Sequence, residues 1–346
     1  MNGKPLVGIL VLGKKKKYLN LYQSYAEKYK IQLFAFTPRD INWQKKYITG
    51  LELNKKKWLK TTFPFPVVVY NQGYGGEKNV IPKLEKYIGK NNCFNHVNKF
   101  NKWETYQILK RKTELQKYLP ATSLYSSVYI NEMLKKYKVL YLKPCYGSQG
   151  KDVYKIELTP NGDIKFYYHA ISSKETFKNR TQLEDKIKTI VGNNQFIIQQ
   201  EVPMTKYSGN HFDIRVLVQK NSKGNWSISN IVSRIPNKFF YNTSLFQKVE
   251  ITENILKELS FSKSKIKSVI KTLHDISIRV SKSLEDNLGH LGELSVDFGL
   301  DQEGKITIIE VNGKPQKKIY DYLVNPNIKK AIYKRPMQYA LYLSQI

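Results

Sequence analysis

Glu293-Leu294-Ser295-Val296-Asp297-Phe298-Gly299-Leu300, then Asp301-Gln302-Glu303-Gly304, then Lys305-Ile306-Thr307-Ile308-Ile309-Glu310-Val311-Asn312, reads as two strands around a polar turn. If Leu300 pairs with Lys305, Asp297 faces Ile308, Ser295 faces Glu310 and Glu293 faces Asn312. One face then carries Glu293, Ser295, Asp297, Glu310 and Asn312, and the other carries Val296, Phe298, Thr307, Ile309 and Val311. Three carboxylates on one sheet face need compensating charge. An all-oxygen set suits Mg²⁺, which keeps waters and takes its remaining ligands from phosphates. The competing reading is a solvated amphipathic hairpin, and an odd-length turn would break the pairing.

Upstream, the apolar strand Val139–Leu142 delivers Lys143 a few residues before Gly147-Ser148-Gln149-Gly150-Lys151. Glycines let backbone approach a ligand, and Ser and Lys add donors for phosphate oxygens. A strand follows the loop, so it is neither a P-loop nor a Rossmann turn, both of which open helices. It reads as a flap between strands or as an ordinary hairpin loop. Phe196-Ile197-Ile198 ends in Gln199-Gln200-Glu201, polar groups suited to an adenine edge and a ribose hydroxyl. In His211-Phe212-Asp213-Ile214-Arg215 the period of two puts His211, Asp213 and Arg215 on one face. Arg215 can fork onto a phosphate with Asp213 orienting it, or the two can form a structural ion pair.

The chain has 346 residues, 41% of them hydrophobic, enough for two or three domains with buried cores. Alternating strand and helix patterns over the first ~95 residues indicate a small α/β domain. No apolar run reaches the ~18 residues of a membrane span. Leu6–Leu12 is followed at once by four lysines and has no cleavage site, so it reads as a buried first strand, not a signal peptide, and a cytoplasmic protein is expected. Cys93 and Cys145 are too few for a disulfide scaffold. Five histidines without ligand spacing give no zinc site. Lys+Arg total 58 against 28 Asp+Glu, a formal charge of +30. That invites a polyanion partner, but the lysines run evenly along a chain also rich in Asn, Ile and Tyr, which favours a compositional origin.

Taken in order, these motifs resemble the ATP-grasp superfamily, and most closely its YheC/YheD branch of endospore coat-associated proteins. The resemblance runs through Asn101-Lys102-Trp103, Tyr141-Leu142-Lys143-Pro144, Gly147–Gly150, Gln200-Glu201, Phe212-Asp213-Ile214-Arg215, Glu293–Phe298, Glu310-Val311-Asn312-Gly313-Lys314-Pro315 and Arg335–Leu343. It implies an α/β and α+β fold: a pre-grasp α/β domain over 1–97, a small lobe over 98–200 with the phosphate-covering loop, and a large lobe over 201–346 with the metal site and a C-terminal helix. It also implies ATP and Mg²⁺ as cofactors, with Mn²⁺ as a substitute. Lys102, Lys143, Gly147, Ser148, Gln149, Gly150, Gln200, Glu201 and Asp213 would bind the nucleotide. Lys143, Arg215 and Arg234 would be catalytic, and Asp297, Glu310 and Asn312 would hold the metal. One departure stands out: relatives carry an Asn followed by a Gly-Gly pair after the position of Arg234, where this chain has Asn242-Thr243-Ser244-Leu245-Phe246-Gln247.

The activity implied is a carboxylate–amine ligase working through an acyl phosphate, with an unidentified small-molecule or peptide carboxylate and amine. A non-catalytic, spore-coat-associated nucleotide-binding assembly protein is the alternative, with coat proteins or an anionic spore polymer as partners. Nucleic-acid binding is a third reading, suggested by the charge and the 25 tyrosines and disfavoured by their core-like spacing.

Overall fold

A computed structural model describes residues 3–54, 57–76, 79–168, 172, 174–238, 243, 245–323 and 326–346. Asn242, where the glycine pair is missing, lies outside the described residues.

Apolar β-branched and aromatic runs become the central strands. Leu6–Leu10 lies between Gln32–Phe36 and Val68–Asn71, all parallel, with Cys93–Phe94 beyond. The strand Gln32–Phe36 continues antiparallel into Tyr47–Asn54, whose hairpin partner Lys57–Pro64 was not anticipated. A second, six-stranded antiparallel sheet runs Glu175–Phe177, Ile164–Tyr168, Tyr154–Leu158, Val139–Pro144, Phe196–Gln200, Thr122–Leu124. A third, five-stranded antiparallel sheet runs Phe246–Ile251, Trp226–Pro236, Asp213–Lys220, Glu293–Leu300, Ile306–Asn312.

Helices cover these sheets, and their packing crosses the boundaries expected from sequence. Phe100, Ile108 and Leu109, in and beside the helix Lys102–Lys110, are buried with Phe212, with Ile214 and Val296 of the third sheet, and with the long helix Lys263–Leu288. The C-terminal helix Pro326–Leu343 instead closes the first sheet: Met337, Tyr339, Ala340 and Leu343 share a core with Val7, Ile9, Leu19 and Tyr22. No helix among the described residues is long and apolar enough to cross a membrane.

The decisive hairpin folds with a different register. Its turn has five residues, Asp301 to Lys305, so Leu300 pairs with Ile306 and not with Lys305. An odd turn alone would put Glu310 on the face opposite Asp297. A bulge between Asp297 and Phe298 absorbs Ile309 as an extra residue and restores the alternation. Asp297 therefore stands opposite Glu310, and Ser295 opposite Asn312. Glu293 is left outside the group.

Candidate functional site

The second and third sheets enclose a cavity of about 120 Å³, lined by the glycine loop, Lys102, Lys143, Arg215, Arg234, Asp297, Glu310 and Asn312. It adjoins a larger one of about 560 Å³ through Tyr141, Val202 and Met204.

Lys102 is the first residue of its helix, capped by Asn101, whose Oδ1 accepts from Trp103 and Glu104 N–H at 2.9 and 3.2 Å. Its Nζ lies 3.1 Å from Glu310 Oε1 and 3.5 Å from the Gly147 carbonyl. Lys143 lies at the penultimate position of its strand and donates to Gln199 Oε1 at 2.5 Å. Burial lowers its pKa to about 8, with Glu310 opposing and Lys102 reinforcing the shift. The loop that follows reaches across them. Gly147 is held so close that a Cβ would lie 3.0 Å from Pro144 Cγ, and Gly150 has φ +66. The covering strand is Tyr154–Leu158, as expected for a flap between strands.

The third sheet supplies a buried network of alternating charges. Arg215 donates from Nε and Nη2 to both oxygens of Asp297, at 2.7 and 2.6 Å. Arg234 clasps Asp213 in the same way and also reaches Asp297 Oδ2 at 3.0 Å. Asp213 therefore orients Arg234, whereas the sequence had suggested Arg215. Thr243 Oγ1 adds a hydrogen bond to Asp213 at 2.7 Å. Burial raises the Asp297 carboxyl, but Arg215 and Arg234 outweigh it and hold the pKa below the usual range. Burial works against charge on Arg234 as well, and Asp213 and Asp297 overcome it, so its pKa rises.

Asp297, Glu310 and Asn312 come together: Asn312 Nδ2 is 3.4 Å from Asp297 Oδ2, and Glu310 is the cross-strand neighbour of Asp297. Two carboxylates and an amide oxygen fit a hard cation that completes its shell with water and phosphate. Among the described residues no group of three His, Cys, Asp or Glu could hold a metal unaided.

Other expected residues are placed differently. His211 leaves the Asp213–Arg215 face for a separate two-residue strand, where its Nδ1 meets the Met204 carbonyl at 2.9 Å. Gln200 does line the first cavity, its Oε1 accepting from Ala121 N–H at 3.3 Å, whereas Glu201 pairs with Lys155 at 3.0 Å in the larger one. Glu293 makes a buried ion pair with Lys317 at 2.6 Å and accepts from Tyr70 at 2.5 Å, Gln72 at 3.0 Å and Gln219 at 2.8 Å. Gln199 was read only as part of a polar strand end suited to a base; its hydrogen bond to Lys143, across 56 residues of sequence, had no sequence signal.

Two antiparallel sheets closing on a cavity, one bearing a glycine flap and lysine, the other a strand-borne acidic pair, make up an ATP-grasp architecture. A family model described as YheC/D-like ATP-grasp matches residues 90–343, well over half of the sequence. The chain belongs to this family. It is 29% identical over 321 residues to the endospore coat-associated protein YheD of Bacillus subtilis, covering 90% of this chain and 70% of that one. Among solved structures, D-alanyl-alanine synthetase A of Vibrio cholerae aligns over 98% of both chains with a TM-score of 0.54 at 14% identity. An ADP complex of N5-carboxyaminoimidazole ribonucleotide synthetase aligns over 97% of this chain and 78% of its own, with a TM-score of 0.57 at 12% identity. At such identities these two likenesses speak for the fold alone.

Proposed function

We propose that the chain is a Mg²⁺- and ATP-dependent ligase that joins a carboxylate to an amine through an acyl phosphate. The observation that carries this is the meeting of Lys102, Lys143, Arg215 and Arg234 with Asp297, Glu310 and Asn312 around one covered cavity. Lys102 and Lys143 would hold the phosphates beneath the Gly147–Gly150 loop, which also keeps water away. A substrate carboxylate oxygen bonds to the γ-phosphorus as the bond to the ADP oxygen breaks. The amine nitrogen then bonds to the acyl carbon, inorganic phosphate leaves, and the amine proton passes to solvent. Arg215, with Arg234 behind it, would neutralise charge on the transferring group. Magnesium, held by Asp297, Glu310 and Asn312, would neutralise the β- and γ-phosphate oxygens. Gln200, Glu201 and Asp213 complete the proposed nucleotide side, and the three domains divide at 97/98 and 200/201.

The test is Mg·ATP calorimetry on the wild type, Lys143→Ala and Glu310→Ala, followed by hydroxylamine trapping with a panel of carboxylates. Binding lost in Lys143→Ala, metal dependence lost in Glu310→Ala, and an ATP-dependent hydroxamate are the expected results. Binding without any hydroxamate or ADP would favour the second reading, a cytoplasmically made coat-assembly protein with a retained nucleotide pocket. The likeness to YheD, and the engagement of both Asp297 oxygens by guanidinium groups, speak for that reading. In either case the basic surface would face an anionic spore polymer or coat proteins.

A further inference from the structure

The parallel part of the first sheet has its own crevice, about 520 Å³, at the carboxyl ends of Leu6–Leu10 and Val68–Asn71. These two strands lie on the side of the sheet where the chain order reverses, since Leu6–Leu10 is followed by Gln32–Phe36 on one flank and joined by Val68–Asn71 on the other. In open parallel sheets that is where ligands bind.

One wall is apolar: Leu10, Leu12, Val80, Ile81 and Val97 line it. Leu12 is 55% exposed, although its side chain rests on Gly73 and Gly76, where a Cβ would sit 3.4 and 3.1 Å from Leu12 Cδ2. Opposite stands Asn98, only 4% exposed. The Gly75 N–H donates to its Oδ1 at 3.3 Å, which fixes the amide and leaves Nδ2 as a buried donor without a partner among the described residues. Such a buried donor is costly to leave unpaired, so the site favours something that accepts from it. Lys99 lies beside it, its Nζ 5.9 Å from the Tyr74 ring and 5.3 Å from the Tyr146 ring, with no carboxylate partner among the described residues. The other charged groups of the wall are His96, 3.0 Å from Glu85, and the exposed Glu104.

We infer that this crevice binds a carboxylate carried on a compact apolar body, the carboxylate accepting from Asn98 Nδ2 beside Lys99 and the body covering Leu12. An acyl chain and the C-terminus of an apolar peptide share this chemistry. The site lies outside the nucleotide cavity, and its occupancy does not depend on ATP chemistry. It does touch the flap: Tyr74 is hydrogen-bonded to Ser148, and Tyr146, the residue before Gly147, lines the crevice. Its ligand would thus brace the loop that covers the phosphates.

The experiment is calorimetry and saturation-transfer NMR on the full chain without nucleotide, using octanoate, octanamide and Leu-Leu as probes. Asn98→Asp keeps an acceptor for Gly75 N–H but replaces the free donor with a like charge. Lys99→Met removes only a half-buried side chain and serves if Asn98→Asp folds poorly. Saturable octanoate or Leu-Leu binding, weakened about tenfold or more in both variants, is expected, and octanamide should bind about tenfold more weakly than octanoate. Preference between octanoate and Leu-Leu identifies the source of the carboxylate. No saturable binding to the wild type, or equal affinity across acid, amide and variants, would overturn the assignment, whatever the ATP experiments give.

Discussion

Arg215 grips both oxygens of Asp297 from the neighbouring strand, at 2.7 and 2.6 Å, and the two residues are direct cross-strand partners. The pair is buried, with side-chain exposures of 8% and 5%. Removing one member of such a pair leaves an uncompensated charge, at a cost of ~3–5 kcal/mol. Arg234 remains on Asp297, so Arg215→Gln should cost ~3 kcal/mol in urea unfolding, at the low end of that range. On the proposed ligase mechanism, in which Arg215 meets the transferring phosphate, the same change should lower ATP-dependent turnover ~100-fold or more. Turnover that persists while stability falls would give Arg215 a purely structural role.

Lys143 carries a pH signature. Its pKa is depressed to about 8, so the ammonium begins to lose its proton near pH 8, well before an ordinary lysine would. Affinity for ATP should be flat below pH 7 and weaken as the pH passes 8, and Lys143→Arg should flatten that decline because guanidinium stays charged. Stability has the opposite trend. The unfolded chain binds the extra proton between pH 8 and the normal lysine range, so this group makes the fold more stable as pH rises through that window. Calorimetry and urea titration from pH 6.5 to 9.5 check both.

Glu293 and Lys317 make a second buried pair, beside the hydroxyls of Tyr22 and Tyr70. Lys317 Nζ lies 3.0 and 2.9 Å from their hydroxyls. Burial raises the Glu293 carboxyl, and Lys317 more than reverses this, leaving its pKa lowered. Lys317→Met alone should cost ~3–5 kcal/mol, and adding Glu293→Gln should restore a large part of it. A double variant no better than the single one would show that the tyrosines, not the ion pair, hold this junction.

His290 sets a limit on the acid side. Its Nδ1 meets the Cys93 carbonyl at 2.8 Å and its Nε2 meets the Tyr339 hydroxyl. Burial, aided by Lys220, lowers its pKa to about 4. The folded protein then binds fewer protons than the unfolded chain between about pH 6.5 and pH 4, so stability falls as pH falls through that window, by ~3 kcal/mol in full. His290→Gln should be less stable at neutral pH yet lose less on acidification. Urea midpoints at pH 7, 5.5 and 4.5 decide the matter.

The residues that mark the site were legible because each ends an apolar strand in a polar group. Lys143 after Val139–Leu142, and Glu310 and Asn312 after Ile308 and Ile309, stand out against their own segments. What could not be read was partnership. Asp213 and Arg215 lie two apart on one strand, yet each pairs with a residue from a different strand, Arg234 and Asp297 respectively. The bulge at Ile309 is a matter of ladder geometry, and no residue type there announces it. Without it Glu310 would face away from Asp297 and the acidic pair would not form. The hairpin Tyr47–Asn54 with Lys57–Pro64 escaped because its lysines and threonines mask the alternation on an exposed surface.

The last helix completes the core of the first sheet. Val7 and Ile9 lie beneath Met337, Tyr339 and Ala340, so the two ends of the described chain close one core between them. Every contact across that seam is of high sequence separation, which makes this core a slow one to form. Apolar-to-polar change at Met337 would strip the cover from a strand more than three hundred positions upstream, leaving one face of its sheet open to association.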